Sequence, residues 1–229
     1  MTGYSGRHPE DVEIDLGPVA LAGHLELPAR ATGVVVFAHG SGSSRHSSRN
    51  QAVATVFNDV GIATLLFDLL TVTEERDRAN VFDVELLAGR LVDVTEWIRA
   101  RPGTAGLPIG YFGASTGAAA ALWAASAPGS DIGAVVSRGG RPDLAGPRLG
   151  RVAAPVLLIV GGDDTTVLEL NRLAADRLRC EHDLVVIPGA SHLFEEPGTL
   201  MAAADAARDW FLRWLPRGET PGDGHAIRA

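Results

Sequence analysis

Two kinds of hydrophobic pattern alternate along the 229-residue chain. Two early segments, "DVEIDL" and "VALAGHLEL", alternate apolar and polar residues around Gly17 and Pro18, which predicts a half-exposed antiparallel hairpin at one edge of a sheet. Later come "GVVVFAHG", "IATLLFDLL", "PIGYFGA", "IGAVVSRGG", "PVLLIVGG" and "DLVVIPG", short apolar runs bounded by glycine or polar residues. Such runs are the pattern of parallel strands buried on both faces. Helical spacing fills the gaps, over residues 49–58, 81–101, 115–127, 167–179 and 199–215, and Trp97, Trp210 and Trp214 fall where helices would pack on the sheet.

Alternation of strand and helix throughout predicts an α/β fold: a mostly parallel central sheet with an N-terminal antiparallel hairpin and helices on both faces. No internal repeat and no linker-like stretch divides the chain, so a single domain is expected over residues 1–216. The polar "RGETPGDGHAIRA" at 217–229 is expected to be a flexible tail. Between Arg138 and Pro155 the connection is short and rich in glycine and proline. It leaves no room for a large cap domain, so a site at that end of the sheet should be open.

Composition narrows the function classes. Hydrophobic residues make up 46% and charged residues 21%, ordinary values for a globular domain. A formal charge of −8 disfavours a broad basic surface, so no nucleic acid and no membrane is expected as a partner. The first residues, "MTGYSGRHPEDVEIDLG", contain no apolar targeting segment, and a cytoplasmic location is expected. Cys180 is the single cysteine; it cannot close an internal disulfide and lacks neighbours at metal-ligand spacing, so no metal is expected on it, and the serine chemistry considered below needs no metal and no cofactor.

In an open parallel sheet, ligands bind beyond the carboxyl ends of the strands, and several of these ends carry reactive groups. "GASTG", Gly113 to Gly117, fits G-x-S-x-G and stands between a strand-like "IGYF" and a helix-like "AAAALWAA". Ser115 could simply cap that helix. The alternative is a nucleophile on a strained turn, which also explains a glycine on each side. A serine hydroxyl needs a base to take its proton and a carboxylate to orient that base. His192, in "VVIPGASHLFEEPG", follows the last predicted strand, whereas His8 and His225 lie in polar termini, His24 in the hairpin and His182 before a strand. After "VLLIVGG" come Asp163 and Asp164, two adjacent carboxylates that spacing alone does not separate. The order Ser, Asp, His is that of the α/β-hydrolases.

With these blocks in order from Val12 to Leu215, including "FAHGSGSSRHS" and "VSRGGRPDLAG", the chain resembles the α/β-hydrolase superfamily and within it the dienelactone hydrolase-like family. The resemblance implies that Ser115, Asp164 and His192 are catalytic. Its pattern G-x-x-D-x-x-V is met by Gly161, Asp164 and Val167, which favours Asp164 over Asp163. It also implies an oxyanion hole from the backbone N–H groups of Ser41 and Thr116, with His39 holding the loop. Dienelactone hydrolases proper use a cysteine where this chain has Ser115, so the family name does not identify dienelactone as the substrate, and the resemblance implies a small-molecule ester or lactone. Arg45, Arg138 and Arg141 lie beyond strand ends and are candidate contacts for a carboxylate-bearing ester, or else partners of Asp143, Glu195 or Glu196. A thioesterase or acyltransferase with the same triad, and a non-catalytic binding protein, are the alternatives.

Overall fold

Strands β1 (Glu10–Asp15) and β2 (Ala20–Glu26) alternate buried and exposed positions and pair antiparallel through the turn at Gly17. In the computed structural model, which describes residues 9–215, they begin an eight-stranded sheet of order β1-β2-β4-β3-β5-β6-β7-β8. The remaining strands are β3 (Gly33–Ala38), β4 (Ile62–Phe67), β5 (Ile109–Ala114), β6 (Ala134–Arg138), β7 (Val156–Gly161) and β8 (His182–Ile187). From β4 to β8 neighbours are parallel, and every residue of β3, β4, β5, β6 and β7 is buried. The predicted tail at 217–229 lies outside the described residues, and among the described residues no helix is long and apolar enough to cross a membrane.

Alternate residues of β3, β4, β5 and β6 feed two main cores, one on each face of the sheet. Val35 and Phe37 pack with Val53 and Phe57 of α1 (Ser48–Asp59) and Ala207 and Phe211 of α6 (Thr199–Trp214). Val34 and Val36 pack with Leu91 and Val94 of α3 (Val84–Ala100) and the alanines of α4 (Thr116–Ala125). α5 (Thr165–Ala175) joins that second face through Ala174. The chain passes from β3 through α1 on one face and from β5 through α4 on the other. The boundary between β3 and β5 is therefore the switch point, where a crevice opens beyond the strand ends.

Two expectations about elements are corrected. The helical pattern over 81–101 is not one helix: α2 (Arg78–Phe82) stops at Asp83, whose backbone is extended at φ −76°, ψ 91° and whose side chain accepts a hydrogen bond from the Leu86 N–H to cap α3. A good N-cap inside an apolar period starts a new helix rather than continuing the old one. The run "DLVVIPG" is not buried on both faces. β8 is the last strand of the sheet, and Ile187 is its one buried residue.

Candidate active site

β5 runs directly into α4, and Ser115 is the residue between them. Its backbone stands at φ 50°, ψ −121°, a region that costs a non-glycine residue about 1–3 kcal/mol. Position makes it the N-cap of α4, yet its hydroxyl makes no capping hydrogen bond. The turn is held from outside the helix: the Ser115 N–H donates to the Arg138 carbonyl at 3.3 Å, and the Ser115 carbonyl accepts from the Arg141 N–H at 3.1 Å. Tight packing dictates the flanking glycines, because a Cβ on Gly113 would lie 2.4 Å from the Ala118 Cα and one on Gly117 would lie 2.1 Å from the Ala38 carbonyl oxygen.

Asp164 repeats the arrangement one crossover later. It is the N-cap of α5, and its side chain likewise makes no capping bond. The carboxylate instead meets His192, with Oδ2 2.7 Å from Nδ1. It is the more enclosed partner, 14% exposed against 39% for the imidazole. Asp163 is exposed, and its N–H donates to the Ala190 carbonyl at 3.0 Å. The loop bearing His192 is anchored by Phe194, which is buried despite a φ of 56°, and by Glu196, whose Oε2 accepts from the Ser191 N–H at 3.0 Å. That hydrogen bond holds the Glu196 carboxyl below the usual carboxylate range.

The loop after β3 approaches the serine from the other side of the crevice, so closely that a Cβ on Gly40 would lie 3.0 Å from the Ser115 Cβ. His39 ties this loop down. Its Nδ1 lies 2.9 Å from the Gly40 carbonyl and its Nε2 accepts from the Leu69 N–H at 3.1 Å. This pairing requires the neutral ring with its proton on Nδ1, and burial pushes the His39 pKa down. Ser41 lines the cleft that holds Ser115 and His192. Thr116 opens α4, so its N–H is among those a helix leaves without an intrahelical acceptor.

That cleft has a volume of about 470 Å³. Of the three arginines singled out in the sequence, only Arg138 lines it. Arg45 forms an ion pair with Asp68, whose Oδ1 also accepts from the Arg45 N–H at 2.8 Å. Arg141 makes a two-pronged pair with Asp143 at 2.8 and 2.7 Å. Arg138 is buried, stacked near Phe112 and Phe194, with Nη2 3.4 Å from the Asn50 Oδ1. Burial, reinforced by the charge of Arg49, pushes its pKa down to about 10. Sequence reasoning missed Arg49 and Asn50, which also line the cleft. The available signal was Asn50 itself, a polar residue on the stripe Asn50, Val53, Ala54, Phe57 that α1 buries. Among the described residues no group of three or more His, Cys, Asp or Glu side chains is arranged to hold a metal ion.

The solved dienelactone hydrolase of Anabaena variabilis is 52% identical, superposes with a TM-score of 0.87, and is matched over 91% of this chain and 100% of its own. The chain belongs to the dienelactone hydrolase-like family of α/β-hydrolases. Est1E from Butyrivibrio proteoclasticus (16% identical, TM-score 0.75, 89% of this chain and 98% of its own) and an α/β serine hydrolase homologue from Coxiella burnetii (19%, 0.74, 90% and 99%) share the fold. Two curated relatives from Mycobacterium tuberculosis strains are 63% identical over 206 residues, 90% of this chain, and bear the name "Putative phosphoribosyl transferase". The chain spans only 46% of their length. No protein-family model matches the sequence. This member of the family carries serine at the turn between β5 and α4.

Proposed function

We propose that the chain is a serine hydrolase of small carboxylic esters or lactones. The observation that carries this is the pairing of an uncapped, backbone-strained Ser115 with a His192–Asp164 hydrogen bond of 2.7 Å at the same end of the sheet. Asp164 fixes the imidazole with Nδ1 protonated, which leaves Nε2 to take the Ser115 proton. Oγ then attacks the ester carbonyl, and the oxyanion that forms is stabilised by the N–H groups of Ser41 and Thr116. His192 returns the proton to the departing alcohol. Water repeats the cycle on the acyl-enzyme, releasing the carboxylic acid. Arg45 and Arg141, each held by its own carboxylate, are assigned to holding loops rather than to substrate.

The transferase name of the mycobacterial relatives we attribute to the part of those proteins that this chain does not span. In support, a hydrolase matched over 100% of its own length accounts for the shared region. A small chromogenic ester tests the proposal: wild type turns it over with release of one acid and one alcohol, and Ser115→Ala does not. Turnover that survives in Ser115→Ala refutes the assignment.

A further inference from the structure

Among the described residues, Arg138 is a buried guanidinium with no carboxylate partner. It is 8% exposed, and among the described residues its Nη1 has no hydrogen-bond partner and its side chain's one hydrogen bond, from Nη2 to Asn50, is a long 3.4 Å. Phe112 and Phe194 lie 5.9 and 5.7 Å from its Cζ, giving it apolar walls and weak cation–π attraction. An enclosed cation left like this is unfavourable unless something pairs with it. The second guanidinium at this wall of the cleft is Arg49, whose only ion pair among the described residues is a long 3.4 Å contact with the mostly exposed Glu195. Arg138 and Arg49 both line this one cleft, and no carboxylate lines it with them among the described residues.

Other donors converge on the same place. Ser48 and Arg49 open α1, a 12-residue helix, and the first-turn N–H of Asn50 is already taken by the Ser47 hydroxyl. The N–H groups of Ser48 and Arg49 remain without intrahelical acceptors at the positive end of the helix dipole. Ser43, Ser44 and Ser48 line the cleft as well. This donor set exceeds what the two oxygens of a singly charged carboxylate would satisfy. It suits a phosphate monoester, with three terminal oxygens and a charge near −2. The reacting centre is adjacent: Arg138 pairs across the strand ends with Ala114, and its carbonyl accepts the Ser115 N–H.

We propose that Arg138, Arg49 and the first turn of α1 form a subsite for a phosphate group carried by the ester substrate, a few bonds from the carbonyl that Ser115 attacks. This rests on the hydrolase reading above and names its substrate class: a phosphorylated alcohol or acid in ester linkage. Arg138 is set across from the nucleophile by strand register, so it fixes the phosphate relative to the scissile bond. Arg49, more exposed, closes over it.

The test has two independent arms. In the first, binding of inorganic phosphate is measured by calorimetry on wild type, Arg138→Met and Arg49→Met. Saturable binding lost in Arg138→Met and weakened in Arg49→Met is expected; no binding to wild type overturns the subsite. In the second, kcat/KM is compared for 2-acetoxyethyl phosphate, an acetoxy carboxylate of similar length and neutral ethyl acetate. The ratio of phosphate ester to neutral ester should fall about 100-fold in Arg138→Met, the scale of charge-assisted hydrogen bonds, and about 10-fold in Arg49→Met. Equal loss on all three esters, or a carboxylate ester preferred by wild type, overturns the proposal. Should Arg138→Met not fold, Arg49→Met carries both arms. Phosphate binding without any ester turnover would refute the hydrolase reading and leave the anion subsite standing; turnover without phosphate binding would do the reverse.

Discussion

The Oδ2 of Asp164 lies 2.7 Å from the Nδ1 of His192, while the neighbouring Asp163 is exposed. One residue of register thus separates a carboxylate hydrogen-bonded to an imidazole from one that faces solvent. Asp164→Asn should lower kcat by about 10³–10⁴-fold by presenting the wrong partner to the ring. Asp163→Asn should stay within about threefold of wild type. Steady-state kinetics on one chromogenic ester compares the two, and similar losses would reassign the role.

Backbone strain at Ser115 makes a separate prediction. Glycine adopts the φ of 50° and ψ of −121° found there without the penalty a Cβ imposes. Ser115→Gly should therefore be more stable than Ser115→Ala by about 1 kcal/mol, with both inactive. Denaturant melts of the two variants measure the gap, and an alanine variant of equal or greater stability would contradict it.

Gly117 predicts the opposite sign. A methyl group there meets the Ala38 carbonyl at 2.1 Å, and that oxygen belongs to the end of a fully buried central strand. Gly117→Ala should destabilise by about 3 kcal/mol or more and lower activity even at temperatures where it remains folded. A melting temperature unchanged from wild type would contradict the packing account.

His39 gives the fold a dependence on pH. Its pKa is lowered from 6.5 by burial, so below pH 6.5 the unfolded chain binds a proton that the native state resists. Stability must then fall as pH drops from 6.5 through the native pKa. Protonated Nε2 would also turn a donor toward the Leu69 N–H. His39→Gln lacks this titration. The stability difference between wild type and His39→Gln, measured by urea unfolding, should shrink between pH 7 and pH 5; a constant difference would contradict it.

Local signals made most of this site legible in the sequence. The glycine-flanked Ser115 and the strand-end positions of the Asp163–Asp164 pair and of His192 follow from periodicity and turn chemistry, which act over a few residues; the preference for Asp164 within the pair comes from the family resemblance. The fates of the arginines do not. Arg45 meets Asp68, 23 residues away, and nothing in either neighbourhood announces the pairing. Arg49 escaped notice because it sits on a helix rather than at a strand end. Asp83 was hidden for a related reason: the apolar period continues across it, while its cap interrupts the helix. β8 reads as a core strand because its apolar run resembles that of β7, and only the order of the sheet makes it an edge.

Ester hydrolysis by this chain requires Ser115 to be a nucleophile activated by His192 and Asp164. The most direct measurement is covalent labelling with a small fluorophosphonate, followed by intact mass and peptide mapping. One adduct per chain on Ser115 is predicted, absent in Ser115→Ala and slowed by at least about 100-fold in His192→Ala. A folded wild-type protein that takes no adduct, or takes it on another residue, would contradict the account.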